Sequence, residues 1–282
     1  MPRRPRHRRS LISPRTPERS SAVGHEVRLP GWRLACFDEL PSTSDFCLRK
    51  AEEGEEDALA VLALHQTSPR GSRGRLWTDP GDSLALSALI RPDAAERKQP
   101  GAWAFIAALA FYDALSNGRS SSRLRIKWPN DIVLDGRKMA GILVEAGGGP
   151  RPWLVIGFGA NLVASPAISG RKLACLAEWS ASCAPRSVGE RVLAALTHWR
   201  QVFQAQGFAA IRAGWLDRSL PVGAPLVVNG GGHYSEGRFA GIGEDGELLL
   251  DCNGRVERVI TGEVLYGDPT VNALETGRAA GH

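Results

Sequence analysis

Residues 124–145 read LRIKWPNDIVLDGRKMAGILVE, and the rest of the chain is organised around them. Two short apolar runs, 132–134 and 142–144, flank the dipeptide Asp135-Gly136. Asp-Gly supplies the positive φ angles that a two-residue turn between antiparallel strands requires. The stretch therefore predicts a β-hairpin.

The predicted hairpin also carries polar residues that its sheet does not need. Lys127, Asn130 and Asp131 stand at its entrance, and Lys138 follows the turn. Lysine is a compact charge for phosphate oxygens, aspartate binds Mg²⁺, and asparagine reads the edge of a base. The mixture suits a site for a phosphorylated ligand. The alternative is a set of solvated charges on an exposed hairpin face.

Charge is unevenly distributed along the 282 residues. Residues 1–20 hold seven Arg and one Glu, a local charge of +6, which leaves 28 Lys and Arg against 29 Asp and Glu in the remainder. The near-neutral body argues against a nucleic-acid partner, because phosphate binding requires a basic face. Residues 1–27 are poor in large apolar side chains, so we expect them to form a disordered basic tail.

Composition also bears on the cellular compartment. Five scattered cysteines without a C-x-x-C pair indicate neither a disulfide framework nor a zinc site. No apolar run approaches the ~18 residues of a transmembrane helix, and the Arg-rich start lacks the apolar segment of a signal peptide. We therefore expect a reduced, cytoplasmic protein with no membrane partner.

Hydroxyl residues precede the first predicted helix. Ser42 and Thr43 stand just before residues 46–48, where a helix N-cap is expected, and Gly54 ends that helix. Capping gives these hydroxyls a structural role without any ligand. Their other interpretation is that hydroxyls and backbone N–H groups at a helix start bind a polar ring or an anion.

An arginine-rich loop is predicted directly after a buried strand. Residues 59–64 form an apolar run that leads to Gln66, and three Arg and two Gly follow between positions 70 and 75, before Trp77. Guanidinium groups fork onto phosphate oxygens, and glycine lets the backbone approach a ligand. The loop is thus suited to fold over an anion; a solvated Arg-Gly loop of the RNA-binding type is the alternative.

The other segments alternate between strand and helix patterns and then change character. Strands are predicted at residues 83–90 and 153–158, and helices at 99–115 and from the capping-box sequence 187–190 to about Ala205. Beyond about residue 221, short strands with turn signals predict a small β-barrel after a linker at 217–222.

No familiar nucleotide-binding loop is present in the sequence. There is no Walker P-loop, and Gly157-x-Gly159 lacks the third glycine of the dinucleotide fingerprint. Two glycines followed by Asn161 at a strand end are instead typical of a tight turn that brings backbone and an amide to a ligand. Any nucleotide must therefore be held in another way.

The order and spacing of these motifs resemble the biotin protein ligases. The likeness covers about residues 28–267, and Lys-Trp-Pro-Asn-Asp with its downstream lysine is the most specific element. The matching stretches are Ser42-Thr43, Gln66-Thr67 with the Arg-Gly loop and Trp77, residues 127–131 with Lys138-x-Ala140-Gly141-Ile142-Leu143, Gly157-x-Gly159-x-Asn161, and Gly262-Glu263-Val264.

The resemblance implies an α+β fold, a mixed β-sheet flanked by helices, of the class II aminoacyl-tRNA synthetase-like type shared with lipoate ligases. A catalytic domain at residues 28–216, an SH3-like β-barrel at 217–270 and a tail at 271–282 are expected. The implied reaction uses ATP, biotin and Mg²⁺. Biotin's carboxylate attacks the α-phosphate, and the biotinyl-adenylate then acylates a lysine of a biotin carboxyl carrier protein or of the carrier domain of a biotin-dependent carboxylase.

The resemblance also assigns roles to individual residues. Lys138, Arg70 and Lys127 are the implied catalytic groups, and Asp131 is the implied metal ligand. The implied biotin-binding residues are Ser42, Thr43, Ser44, Gln66, Arg70, Gly71, Ser72, Lys138 and Gly141. The implied ATP-binding residues are Arg73, Arg75, Trp77, Asn130 and Asn161.

The chain departs from the family pattern chiefly in the loop. Pro69 and Ser72 replace a glycine and an arginine, Ser44 stands where Asn is usual, and Val163 stands where a second Asn often is. Losing a forked guanidinium contact costs about 1.5 to 3 kcal/mol, so the hypothesis is looser adenylate binding or slower turnover. A Ser72→Arg variant with an unchanged rate of adenylate release would refute it.

Several alternatives stay open at this point. No winged-helix domain is found before the catalytic region, which predicts a monofunctional ligase without a repressor role. A lipoate or other acyl ligase of the same fold, a degenerate homologue that only binds biotin, and a nucleic-acid binder using the tail and loop are the competing interpretations. The sequence leaves open which carrier is modified and whether the chain forms a homodimer.

Overall fold

The central hairpin has the predicted geometry. In the computed structural model, which describes residues 24–71, 77–181, 183–230 and 233–265, strand β6 (Asp131–Leu134) pairs antiparallel with β7 (Arg137–Gly147). Asp135 and Gly136 between them have φ angles of 50° and 74°. Positive φ at both central positions is the signature of a type I′ turn, so the hairpin prediction is confirmed.

This hairpin is part of an eight-stranded mixed sheet with the order β1-β2-β3-β4-β8-β7-β6-β5. The pair β2/β3 is parallel and the other neighbours are antiparallel. The remaining strands of the sheet are β1 (His25–Leu29), β2 (Trp32–Leu40), β3 (Leu59–Gln66), β4 (Leu84–Ile90), β5 (Leu124–Lys127) and β8 (Trp153–Ala160).

Three α-helices accompany the sheet within the described ranges: α1 (Thr43–Glu52), α2 (Ala102–Ser116) and α3 (Pro185–Arg218). Helix α1 makes the crossover between the parallel strands β2 and β3, as a parallel connection requires. Helix α2 is buried along nearly its whole length and packs against α3, where Phe105 meets Phe208 edge to face at 5.3 Å. The α+β prediction of a mixed sheet flanked by helices is confirmed.

Two sequence boundaries differ from the observed ones. Helix α3 starts at Pro185 and not at the predicted capping box, because proline at the first helical position needs no N–H partner. It also continues past Ala205 to Arg218, through a break at Gly207 (φ 71°), into the expected linker. Strand β1 begins at His25, inside the segment assigned to the basic tail, because β2 supplies pairing partners that local composition does not reveal.

The C-terminal segment forms a separate five-stranded antiparallel sheet with the order β12-β11-β10-β9-β13. Its strands are β9 (Pro225–Gly230), β10 (His233–Ile242), β11 (Leu248–Cys252), β12 (Arg255–Val259) and β13 (Glu263–Leu265). Trp128 beside the hairpin donates from Nε1 to the carbonyl of Gly246, over 3.0 Å. Closure of this sheet into an SH3-like barrel stays a prediction, as does the division of the chain at residue 217.

Among the helices of the described ranges, none has both the length and the apolar character needed to cross a bilayer.

Candidate active site

An open cleft lies where the N-terminus of α1 meets strands β3, β4, β7 and β8. Segments distant in sequence converge there, including those that carry Lys138 and Arg70. Ten predicted site residues line it: Ser42, Thr43, Ser44, Gln66, Arg70, Gly71, Trp77, Asp131, Lys138 and Gly141.

Hydroxyl groups form one part of the cleft at the start of α1. Ser42 caps the helix, with its Oγ accepting from the N–H of Asp45 over 3.2 Å. The N–H of Thr43 donates to Gln66 Oε1 over 2.8 Å, and the Thr43 hydroxyl lies 3.2 Å from the same oxygen. Ser42 therefore combines capping with cleft lining, so the structural and binding interpretations of its hydroxyl are compatible.

Ser87 is a member of this group that sequence reasoning missed. It is fully buried on β4, and its Oγ lies 2.8 Å from Thr43 Oγ1 and 3.0 Å from Ser44 Oγ. The available signal was a serine within the strand segment Leu84–Ile90, which is otherwise entirely apolar. A hydroxyl in such a strand needs a buried partner, because an unsatisfied one costs free energy.

Two lysines meet one carboxylate on the hairpin. Lys138 Nζ lies 2.6 Å from Asp131 Oδ1, and Lys127 Nζ lies 3.2 Å from Asp131 Oδ2. Burial raises the pKa of the Asp131 carboxyl, but the charges of Lys138 and Lys127 outweigh it, so the pKa lies below its ordinary value. Asp131 therefore pairs with both ammonium groups beside the cleft.

Arg70 is held by two carboxylates at the cleft. Its guanidinium forms a two-pronged contact with Glu145, with distances of 3.1 and 2.8 Å, and its Nε lies 2.8 Å from Asp45 Oδ1. Burial lowers the pKa of Arg70, but Glu145 and Asp45 outweigh burial and raise it above its ordinary value. Asp45 and Glu145 were not predicted as site residues, since nothing in their local sequence indicates a distant arginine.

Three glycines let side chains lie against the strands of the cleft. A Cβ atom on Gly159 would lie 3.1 Å from the Trp77 indole, and one on Gly141 would lie 3.1 Å from Lys138 Nζ. A Cβ on Gly157 would lie only 2.7 Å from Ser44 Oγ. The glycines thus create space for the indole, the ammonium and the hydroxyl, which explains why they occur within strands.

Comparisons with known proteins identify the family of this chain. A model described as the biotin/lipoate A/B protein ligase family matches residues 36–161. A biotin–acetyl-CoA-carboxylase ligase of Paracoccus denitrificans is 34% identical over 232 residues, which cover 77% of this chain and 94% of that protein. The chain belongs to the biotin protein ligase family. A ligase of the same name from Mycobacterium tuberculosis is 30% identical over 247 residues, covering 84% of this chain and 90% of that protein.

A solved biotin protein ligase shares the fold. The enzyme of Aquifex aeolicus, in complex with biotin and ATP, matches with a TM-score of 0.70 and 22% identity, covering 82% of this chain and 97% of that one. The expected family and its fold are therefore confirmed for this chain.

Some residues implied by the biotin protein ligase pattern do not line the cleft. Asn130 Nδ2 donates to the Ile142 carbonyl over 2.8 Å, and Asn161 Nδ2 donates to the Ala174 carbonyl over 3.0 Å. Both amides support backbone in this arrangement, so their adenine or ribose contacts stay predictions. The predicted residues Ser72, Arg73 and Arg75 lie outside the described residues.

The role of Asp131 as a magnesium ligand stays a prediction. Both carboxylate oxygens contact lysines, and the described ranges contain no group of three His, Cys, Asp or Glu side chains that could hold a metal ion. In this arrangement Asp131 orients Lys127 and Lys138. Mg²⁺ in ATP-using enzymes is commonly held by one or two carboxylates together with substrate phosphates, so its entry with the nucleotide stays compatible with the site.

Proposed function

We propose that this chain joins biotin to ATP, forming biotinyl-5′-AMP and releasing pyrophosphate, and then transfers the biotinyl group to a lysine of a carrier protein. The ATP-dependent ligation of biotin follows from family membership. The acceptor is the proposed part: a biotin carboxyl carrier protein or carrier domain, since the relatives are named for acetyl-CoA carboxylase.

The observation that supports this function best is the composition of the cleft. Uncharged hydrogen-bonding groups and two cations, Lys138 and Arg70, line the same cavity. Activation requires a carboxylate and a phosphate to approach each other, and both are anions. Positive groups that neutralise the charge developing on phosphorus supply much of the catalysis in such reactions.

The proposed roles follow from the position of each residue. Lys138 contacts the biotin carboxylate and the α-phosphate, because its ammonium borders the cleft beside Gly141. In the first step, a carboxylate oxygen bonds to the α-phosphorus and the bond to pyrophosphate breaks. In the second, the carrier lysine bonds to the acyl carbon, AMP leaves, and the lysine nitrogen loses a proton.

The remaining contacts divide between the two substrates. We assign the biotin head to the hydroxyl groups and to Gln66, and the adenine to the indole of Trp77, which lies flat enough against β8 to require glycine at position 159. Aromatic faces are common platforms for bases. We assign Arg70 and Gly71, which line the cleft, to contacts with the adenylate.

Incubation of the purified chain with biotin and MgATP tests the function. We expect pyrophosphate release with biotin and, after addition of a carrier domain, one biotinyl group on a single lysine by mass spectrometry. Lipoate in place of biotin is the matched control and is expected to give no adenylate. Binding of biotin without pyrophosphate release would contradict the proposal and favour a degenerate homologue.

A further inference from the structure

The Ser87 hydroxyl lies behind the cleft and has no role in the reaction described above. It is fully buried and contacts two cleft residues, Thr43 and Ser44, without lining the cleft itself. Gly157 lies opposite Ser87 across the β4–β8 pair, and only a glycine there leaves room for the Ser44 hydroxyl. The strand pairing thus provides a space in which three hydroxyls meet.

At the Gln66 end of this hydroxyl network, the donor and the acceptor of each hydrogen bond can be assigned. The backbone N–H of Thr43 donates to Gln66 Oε1, so the oxygen of the amide, and not its nitrogen, faces Thr43. The Thr43 hydroxyl is 3.2 Å from the same oxygen and must donate to it, because Oε1 carries no hydrogen.

This assignment determines the donors and acceptors of the remaining hydrogen bonds in the network. Since each hydroxyl has a single proton, Thr43 Oγ1 has only lone pairs left for Ser87, and the Ser87 hydroxyl donates to it. Ser87 Oγ in turn accepts the proton of Ser44. The Ser44 hydroxyl therefore donates its only proton to Ser87, and its lone pairs are left to face the cleft.

We propose that Ser87 is a positioning residue that makes Ser44 a hydrogen-bond acceptor for an N–H group of the ligand. This inference rests on the proposed function, in which the ligand head is the cyclic urea of biotin. A urea offers N–H donors beside a carbonyl acceptor. The cleft complements it: Ser44 accepts, while the Ser42 hydroxyl and the Gln66 Nε2 group are donors. Lipoate has a dithiolane ring with no N–H or carbonyl, so the same hydroxyl chain discriminates against it.

The primary test is Ser87→Ala. Without the Ser87 acceptor, the Ser44 proton turns toward the cleft and opposes the ligand's N–H. We expect the KM for biotin to rise about 3- to 10-fold, with kcat and the KM for ATP changed less than about twofold. The matched control is Ser83→Ala: Ser83 is also buried, and its Oγ has no partner among the described residues, so the KM for biotin is expected to stay unchanged.

A second measurement separates hydrogen-bond direction from packing. The probes are two cyclic carbamate analogues of biotin, each with one ureido N–H replaced by a ring oxygen. The wild-type chain is expected to disfavour the analogue whose oxygen faces Ser44, and Ser87→Ala is expected to reduce that preference, because the freed Ser44 proton can donate to the oxygen. Equal weakening of biotin and both analogues would indicate lost packing and overturn the proposal.

A conservative variant keeps the test decisive. Ser87→Cys retains a weak donor and acceptor of similar shape, so we expect an intermediate KM for biotin and an intermediate preference ratio. If Ser87→Ala fails to fold, the ratio measured for Ser87→Cys decides. A wild-type chain that forms no biotinyl-adenylate overturns the proposed function together with this inference, whereas active variants with an unchanged ratio overturn only the role of Ser87.

Discussion

Two sets of residues at and behind the cleft hold their partners in opposite ways. The hydroxyl set (Thr43, Ser44, Gln66 and Ser87) is largely buried, and a backbone N–H fixes the direction of its hydrogen bonds. The ionic set (Lys138, Asp131, Arg70, Asp45 and Glu145) consists of ion pairs, and the Arg70 and Lys138 side chains are each about one-third exposed, at 36% and 34%.

The difference indicates that the two sets suit different tasks: one suits the selection of an uncharged ring and the other the binding of anionic groups. Buried hydrogen bonds of fixed direction suit selection of an uncharged ring, because a mismatched ligand leaves groups unpaired at a high cost. Partly exposed ion pairs are individually weak and exchange readily. We therefore expect anionic substrate groups to replace the internal carboxylates at the ionic set, while the hydroxyl set keeps its arrangement.

Removing the charge of Lys138 is expected to have the largest effect on activity. Lys138→Met deletes the ammonium for which we propose a contact with both reacting anions, and losing one electrostatic contact of this kind typically lowers kcat by about 10²- to 10³-fold. Biotin-dependent pyrophosphate release measures it. The exposed Lys172→Met is the charge-matched control. A loss confined to the KM for biotin would show that Lys138 binds without assisting the reaction.

Crowding the hydroxyl set is expected to have an intermediate effect. In Gly157→Ala, the added Cβ lies 2.7 Å from Ser44 Oγ, so the hydroxyl must move away from Ser87. We expect the KM for biotin to rise about tenfold with little change in the KM for ATP, because the loss is comparable to one hydrogen bond. Gly148→Ala, where a Cβ meets no atom within 4 Å, is the control. A larger rise in the KM for ATP than for biotin would indicate that Ser44 contacts ATP and not biotin.

Weakening the ion pairs of Arg70 is expected to have a smaller effect, on the binding of the adenylate. Glu145→Gln removes one of the two carboxylates that compete with the ligand for Arg70. We expect the Kd of a non-hydrolysable biotinyl-adenylate analogue, measured by calorimetry, to fall about two- to fivefold, since such pairs contribute at most about 1 kcal/mol. Glu56→Gln, which breaks a similar exposed pair with Arg151, is the control. Weaker binding would show instead that Glu145 holds Arg70 in its productive position.

The smallest expected effect concerns pH. The pKa of Asp131 is lowered in the folded chain, so its contribution to the free energy of unfolding is complete above the ordinary pKa of about 3.9 and is lost as pH falls through the folded value. Its carboxyl carbon resonance is expected to titrate at a lower pH than that of an unperturbed aspartate. In Lys138→Met the titration is expected to move upward, and an unmoved titration would contradict the pairing.

Much of the fold could be predicted from local chemistry. Asp135-Gly136 determines the hairpin through backbone sterics, and the apolar strand runs and the helix cap at Ser42 are similarly local. The C-terminal limit of α3 and the start of β1 could not be predicted, because tertiary contacts extended both elements beyond their local signals: α3 packs along α2, and β1 pairs with β2.

The sequence by itself determined the family and most of the residues that line the cleft, because the motif spacing and the residue types are written in the chain. Only the tertiary structure decided which groups face one another. Ser87 joins Thr43 and Ser44 from 44 and 43 positions away, and Glu145 meets Arg70 across 75 positions. Hydrogen-bond direction and ion pairing depend on distances of about 3 Å, and such proximity between remote segments exists only once the sheet has brought them together.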